Sequence, residues 1–419
     1  MNLKWIILGV LSIVLISYAI WYYRLRNKTQ KKARREKSKK VNKWDQDFLQ
    51  SKRHTADPKV DKMVEAIMQK HKEKEVNHIF KAIVNNSDEL PEDTHPDIKQ
   101  FFEETAKLPE WADPDLIKLG QLIYLRHGLP IAMLLFYKSL PECYTGARGA
   151  EVLIHSNRLN QRFGSQDAMA RRLAETGLFI YHAMMPGGME PEGKGIRAAQ
   201  KVRLIHAVIR YFIKKHGWDV EKNGLPINQE DMAGTLMSFS ALVLEGLDIL
   251  GIDFDETERE AYIHCWRVIG HIMGVEEDLI PVNSEDSLAL GHAIIDHQKA
   301  SSVAGHKLAQ ALLTFCNNKA PFFIHKDFHI NMLNILMGRE LATMLGLPEV
   351  DKWQAKAFYK SVRAYSKVRE FFDHIIIFDL PIQLVDRLLL KLSISYLSHN
   401  RVINFYMPPS LTADWDTNQ

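Results

Sequence analysis

Apolar residues recur at three- and four-residue spacing along most of the chain. This is the period of a helix with one buried face, and no segment alternates regularly between apolar and polar residues as a half-buried strand does. The pattern therefore predicts an all-α fold. The predicted helices cover residues 60–84, 116–126, 129–140, 166–185, 196–216, 229–250, 257–273, 284–316, 321–345, 352–371 and 381–397.

The first apolar run, residues 5–23, differs from the others because it has almost no polar face. It is long enough to cross a bilayer as a helix, and its Trp and Tyr residues lie at its two ends, where membrane interfaces favour them. A cleaved signal peptide would have a shorter apolar region and an A-x-A cleavage site. We therefore predict an uncleaved transmembrane anchor at 5–23.

A strongly basic segment follows the anchor. Residues 24–43 hold eleven Lys and Arg and one Glu, a local charge of about +10 in a chain whose formal charge is +3. Beside a membrane span, attraction to anionic lipid head groups explains such a cluster better than nucleic-acid binding does. Positive flanks stay on the cytoplasmic side. We thus predict a single-pass membrane protein with a basic juxtamembrane linker at 24–56, flexible from about 42 to 56, and a cytoplasmic domain at 57–405.

Several kinds of site are poorly supported. The three cysteines are far apart and none forms a CxxC pair, which argues against a disulfide framework and a thiolate metal site. Glu75 and His78 have di-iron spacing, but they lie on a highly charged predicted helix. His325 and His329 have zincin spacing, but Lys326 occupies the position of the catalytic Glu. No phosphate-binding glycine motif or nucleophile elbow is present.

Two residue pairs at i, i+4 spacing mark the centre of the chain. Arg172 and Thr176 share one face of the helix at 166–185, and His206 and Arg210 share one face of the helix at 196–216. A Gly/Pro-rich connection, residues 186–195, joins the two helices. On a helical projection His206 falls inside the apolar stripe and Arg210 on its flank.

A His within an apolar stripe needs a partner for its ring nitrogens. The common partner is a backbone carbonyl or a buried carboxylate, and the other candidate is a metal. Haem iron suits a solitary His206, since the porphyrin supplies four ligands, and Arg210 could pair with a propionate. Gly177, beside Arg172 and Thr176, would let a flat group approach the backbone. Alternatively, Arg172 and Glu175 are surface charges and Thr176 is a core hydroxyl.

The region from 108 to 397 resembles the family of latex-clearing proteins (rubber oxygenases) and the membrane-bound oxygenase of mycophenolic acid biosynthesis. The R-x-x-x-T and H-x-x-x-R motifs, in this order on consecutive helices, are its most specific elements. The remaining residues that carry the resemblance are Leu108-Pro-Glu-Trp111, Ser139-Leu140, Gly149-Ala-Glu-Val-Leu153, Asn228-Gln229 and Trp266-Arg-Val-Ile-Gly270.

This resemblance implies a globin-like helical core that binds one haem b non-covalently. It implies His206 as the proximal iron ligand and metal-binding residue, with Arg210, Arg172 and Thr176 lining or supporting the haem site. The implied reaction uses O2 to cleave a C=C bond of an isoprenoid substrate to carbonyl products. An N-terminal membrane anchor also occurs in the mycophenolic-acid relative, and it suits a lipophilic substrate.

The chain departs from the family pattern at two positions. Glu175 stands where some rubber-cleaving members have a Lys that ligates the distal side of the iron. Those members also use a Glu as catalytic base, and the equivalent separation from Arg172 leads to Ser156. Glu151 and Glu175 are therefore only candidate bases. Two alternatives stay open: another haem-dependent oxidation of a lipid, and a non-catalytic helical scaffold tethered to a membrane.

Overall fold

The computed structural model describes residues 3–38, 44–71, 79, 92, 94–156, 166–319, 326–373 and 376–397. Its helices are α1 Leu3–Lys37, α2 Gln46–Lys52, α3 Pro58–Lys70, α4 Pro96–Thr105, α5 Pro114–Leu134, α6 Leu140–Thr145, α7 Ala147–His155, α8 Gln166–Met184, α9 Lys194–Lys215, α10 Val220–Asn223, α11 Gln229–Phe239, α12 Ala241–Leu250, α13 Glu256–Met273, α14 Ser284–Gln298, α15 Val303–Lys319, α16 Lys326–Met344, α17 Lys352–Asp373 and α18 Ile376–Leu397. A π-helical turn, Leu135–Ser139, joins α5 to α6, and a 3-10 turn covers Glu277–Leu279. Within these residues no strand forms, so the prediction of an all-α fold is confirmed.

Several predicted helix boundaries are wrong. The helix predicted at 60–84 ends at Lys70, because His71 adopts an extended conformation with a φ of −109° and a ψ of 145°. The helix predicted at 229–250 breaks at Ser240, whose φ of −114° and ψ of −89° are not helical. The segment predicted at 284–316 is interrupted at 299–302, where the Ala300 N–H donates to the Thr145 carbonyl. Conversely, 116–140 runs as one kinked element, because Pro130 and the non-helical His127 bend α5 without ending it.

Helix α5 lies at the centre of the molecule, between α13 and α18. The α13 contact is so close that a Cβ on Gly120 would overlap the Ala261 carbonyl and the Cys265 sulphur. Only glycine therefore permits this packing. The buried apolar side chains form one continuous core that extends from Leu25 to Ile394. This core includes α1 residues and so begins upstream of the domain boundary predicted at 57.

The prediction that the linker is flexible from about 42 to 56 is wrong for the residues described there. Helix α1 continues through Lys37, and α2 follows. Lys28 pairs with Asp115 at 2.8 Å and Lys32 with Asp113 at 2.7 Å, so much of the basic segment faces carboxylates of the body. Arg53 is fully buried and donates to Glu230 at 3.0 Å. Cations that find partners within the protein have no need of the flexible, solvated chain that we expected.

Two described stretches are long and apolar enough to span a membrane by composition, Pro114–Thr145 and Gln229–Leu250. Their apolar windows are 50% and 67% buried inside the protein. Partial or extensive burial of this kind is typical of core helices.

Candidate functional site

The glycine-rich connection fixes how α8 and α9 meet. Gly187 adopts a φ of +82°, and the Ile196 N–H donates to the Gly188 carbonyl across the turn. A Cβ on Gly195 would lie 2.5 Å from the Ala183 Cα, closer than any real side chain could approach. Gly195 therefore lets the start of α9 lie directly against the end of α8. This contact sets the register of an antiparallel helix pair.

The register brings the two motifs to the same level. Arg172 precedes Ala183 by 11 residues, and His206 follows Gly195 by 11 residues. At about 1.5 Å per residue both lie about 16 Å from the turn. Successive residues rotate by about 100°, which places Arg172 and Thr176 within about 20° of the α8 stripe that faces α9. By the same count, Val202 and His206 lie within about 20° of the α9 stripe that faces α8.

We call the set of these four facing residues the cleft. Arg172, Thr176, Val202 and His206 are all half-buried, whereas residues nearer the turn on the same stripes, such as Ala183 and Gly195, are fully buried. The helices thus pack tightly at the turn, and their facing side chains become partly accessible farther along. The cleft combines one imidazole, one guanidinium and one hydroxyl with the apolar side chain of Val202.

Arg172 also lies near the end of α6. Burial raises the pKa of the Cys143 thiol to about 11, and the Arg172 charge opposes that rise. The same charge opposes the effect of burial on the pKa of Tyr144, which is raised. A cation close enough to act on both groups brings α6 next to the cleft. The cysteines of the described residues are free thiols, and Cys265 and Cys316 are buried.

The flank of α9 beside this stripe is occupied by buried ion pairs. Arg210 is 1% exposed, and its Nε donates to Asp61 on α3 at 2.8 Å. Its Nη1 donates to the Ile227 carbonyl at 3.2 Å. About two turns earlier on α9, Arg203 pairs with Asp57 at 2.6 Å. These bonds attach α9 to α3, so the Arg210 guanidinium is held by the protein on the flank of the stripe that carries His206.

The remaining predicted residues are distributed around the cleft. Glu175 is 5% exposed and lies about 80° from the α9-facing stripe of α8. Glu151 lies on α7, a helix that we did not assign from the sequence, and its side chain is 36% exposed beside His155. Gly177 faces α18, where a Cβ would meet Ile394 at 3.5 Å, an ordinary contact. The expectation that Gly177 opens the backbone to a flat group is therefore wrong.

Sequence reasoning missed a buried acidic cluster around the π-helical turn. Lys138 donates to Glu142 at 2.5 Å and to Glu245 at 2.8 Å, and His292 pairs with Glu245 at 2.9 Å. Burial raises the pKa of Glu142 to about 7 in spite of the Lys138 charge. Burial also acts to raise the pKa of Glu245, but hydrogen bonds from His292 and Lys138 hold it at about 2. The Lys138–Glu142 spacing of four was the only sequence signal, and it is common on solvated helices.

The donor set limits what the site can hold. Among the described residues no three His, Cys, Asp or Glu side chains converge on a point where a metal ion could bind. A metal held by His206 would therefore take its other ligands from a cofactor. A single half-buried imidazole, level with a guanidinium, fits a cofactor that carries its own equatorial ligands and negative charge.

Comparison with known proteins places this arrangement in a family. Residues 127–368, more than half of the chain and including both motifs, match the family model described as the catalytic domain of ER-bound oxygenase mpaB/B'/rubber oxygenase. The chain belongs to this family. A family relative, the rubber oxygenase of Streptomyces sp. (strain K30), is 25% identical over 260 residues, which cover 61% of this chain and 62% of that protein. The alignment thus spans less than two thirds of the relative.

A solved structure supports the fold. The structure of latex clearing protein LCP in the closed state superposes with a TM-score of 0.64 at 22% identity, covering 76% of this chain and 84% of that one. The superposed part of the chain is much longer than the α8–α9 pair. The helical architecture predicted by the resemblance is therefore confirmed as that of latex clearing protein.

Proposed function

We propose that this protein is a haem b-dependent oxygenase that cleaves a C=C bond of a lipophilic, isoprenoid-like substrate with O2. The observation that carries the proposal is the placement of Arg172 and His206 at one level on the facing stripes of α8 and α9. Membership of the oxygenase family and the K30 rubber oxygenase relative support the reaction class. When bound, the haem would supply activation of O2.

The residues of the cleft have distinct roles in this proposal. His206 on α9 would hold the iron of the haem through its imidazole. Arg172 supplies a positive charge that can pair with a carboxylate of the cofactor or orient O2 chemistry in the cleft. Thr176, one turn away on the same stripe, adds a hydroxyl that can donate or accept a hydrogen bond.

Cleavage by allylic proton abstraction requires a base. Of the two candidates, Glu175 is buried on α8 next to Arg172, while Glu151 is at the surface of α7. A buried carboxylate beside an apolar substrate is better placed to accept a proton than one exposed to solvent. We therefore assign the proton-accepting role to Glu175.

We further propose that residues 5–23 anchor the protein in a membrane and that the body faces the cytoplasm. The apolar length of this run and the basic residues that follow it support this orientation. Because long isoprenoids partition into lipid, an anchored enzyme meets its substrate at high local concentration. No nucleic acid is needed as a partner.

Haem binding is the first test. The full chain is produced with haem precursor, purified in detergent, and its absorption spectrum is recorded before and after dithionite and CO. We expect a Soret band that shifts with both additions. His206→Ala should lower the haem content by about tenfold or more, as expected for loss of a metal ligand. His216→Ala, at the exposed end of α9, is the matched control and should retain the haem.

Activity is measured separately, as O2 uptake and carbonyl product formation with an unsaturated isoprenoid. A folded wild-type protein that takes up no haem would overturn the cofactor assignment and favour the scaffold alternative. A haem-loaded protein that oxidises lipids without cleaving C=C bonds would retain the cofactor and overturn the proposed reaction.

A further inference from the structure

We propose that the exposed apolar side of α18 rests in the same lipid bilayer that α1 enters, so that the body is docked on the membrane at two places. This inference rests on the proposed anchoring of α1. The feature behind it, called here the α18 apolar face, consists of six large side chains that are all exposed: Leu384 65%, Val385 54%, Leu388 57%, Leu389 42%, Leu392 54% and Tyr396 61%.

The face is continuous. At about 100° per residue the six side chains fall within an arc of about 140°. The opposite side of α18 holds its buried residues, Asp386, Leu390 and Ile394, which pack on the body. A surface helix ordinarily places polar residues toward water. This helix is apolar on both sides, and large contiguous apolar patches mark surfaces that meet a protein or a membrane.

The position of the face identifies the bilayer as its occupant. Helices α1 and α5 are antiparallel, because Lys28 pairs with Asp115 and Tyr22, nearer the start of α1, accepts from Arg126, farther along α5. Two residues beyond Arg126, a Cβ on Gly128 would lie 3.6 Å from the Leu390 side chain of α18. Helix α18 therefore crosses α5 near the level of Tyr22, at the end of the apolar run of α1.

That part of α1 is exposed in the same way. Ile13 is 66% exposed, Ile16 59% and Ile20 48%, and α1 and α18 contact each other. The two apolar surfaces are thus adjacent and lie at one end of the body. A bilayer that receives α1 necessarily reaches the neighbouring helix, whereas a second copy of the chain would have to displace lipid to cover it.

Basic residues lie along one edge of the α18 apolar face, as expected for a helix that lies in a membrane interface. Arg387 and Lys391 are exposed and flank the arc on one side, and Lys391 Nζ lies 5.9 Å from the centre of the Tyr181 ring. Long cationic side chains at such positions can reach lipid phosphates while their stems cover apolar surface. The charge pattern therefore agrees with a lipid surface.

The docking would connect the bilayer with the candidate site. Helix α18 packs on α8, where Ile394 lies against Gly177, one residue after Thr176. A lipophilic substrate could then pass from the membrane along α18 toward the cleft without crossing water. Lateral entry of this kind would avoid the cost of exposing apolar surface, about 25 cal/mol per Å2.

Depth-dependent quenching tests the inference. The full chain is inserted at one copy per lipid nanodisc and labelled with an environment-sensitive fluorophore at Leu388→Cys, at Ile16→Cys in α1, or at Lys356→Cys on the exposed side of α17. The discs contain phosphatidylcholine with acyl-chain quenchers. The fluorophore can also react with the native cysteines, and the wild-type protein measures this background. Two of these cysteines, Cys265 and Cys316, are buried.

We expect the Leu388 label to lose as large a share of its fluorescence as the Ile16 label, and the Lys356 label to lose none. Quenching at Ile16 but not at Leu388 would overturn this inference and leave the anchor intact. Absence of quenching at both sites would overturn the anchor as well. A blue shift at Leu388 that appears only with several copies per disc, without quenching in single-copy discs, would assign the face to a second chain and also overturn the inference.

Discussion

The two sides of α9 use the same kinds of residue for opposite purposes. Toward α3, Arg203 and Arg210 are enclosed by Asp57, Asp61 and backbone carbonyls, so their charges are neutralised within the protein. Toward α8, His206 faces Arg172 and Thr176 across a cleft in which all three are half-buried. One side attaches the helix to the body, and the other leaves polar groups in reach of a ligand.

The two residues of the H-x-x-x-R motif therefore have different roles. Its two members share one helix face and differ by a rotation of about 40°. This rotation is enough for Arg210 to bind Asp61 of α3 while His206 lies in the cleft. A polar residue near a candidate site is therefore assigned a role by its partners, and not by its spacing alone. Substitutions on the two sides should separate loss of stability from loss of activity.

The largest effect on stability is expected from Arg210→Met. Removing the guanidinium leaves the Asp61 carboxylate, 18% exposed, without its main partner. Breaking such a pair costs about 3 kcal/mol. Chemical denaturation measures the loss, and Asp61→Asn combined with Arg210→Met should restore part of it. If Arg210→Met instead lowers haem content with stability unchanged, Arg210 belongs to the cofactor site.

Local patterns were enough to predict α8 and α9. The apolar period predicted helices at 166–185 and 196–216, and the structure has Gln166–Met184 and Lys194–Lys215. The cap of α11 is equally local, since the Asn228 side chain accepts from the Asp231 N–H at 2.9 Å. These features depend on residues within a few positions of one another.

The partners of the motif residues were beyond sequence reasoning. Arg210 and Asp61 are separated by 149 positions, and nothing in either local sequence specifies the pair. The same holds for Arg53, which the polar composition of 42–56 assigned to a linker and which the fold buries against Glu230. Long-range ion pairs depend on how helices are arranged, and helical periodicity does not contain that information.

A substitution on the cleft side should spare stability and reduce activity. In Arg172→Gln the lost charge-assisted interaction, about 1.5–3 kcal/mol, corresponds to a decrease in kcat/KM of roughly 10- to 150-fold. The adjacent Arg171 is exposed, so Arg171→Gln is the matched control and should leave kcat/KM unchanged. Equal losses in both variants would show that general surface charge, and not the cleft, matters. Thermal unfolding of each variant is measured in parallel.

The Glu142 cluster belongs to the scaffold side and should respond to pH. Because burial raises the pKa of Glu142 to about 7, the folded protein binds a proton that the unfolded chain releases above its ordinary pKa of 4.5. The free energy of unfolding should therefore fall as pH rises between these values, by at most about 1.4 kcal/mol per pH unit. Glu142→Gln should remove that slope. Denaturation at several pH values measures it, and an unchanged slope would assign the titration to another group.

The smallest effect is expected from Glu151→Gln, and it sharpens the choice of base. The Glu151 side chain is 36% exposed and lies 3.7 Å from a half-exposed His155, a surface pair worth at most about 1 kcal/mol. Stability and turnover should both stay near the wild-type values. Glu175→Gln, which keeps the shape of a buried side chain and removes its charge, should lower kcat instead. The reverse result, with turnover lost in Glu151→Gln alone, would mean that α7 moves toward the cleft when substrate binds and that the exposed carboxylate is the base.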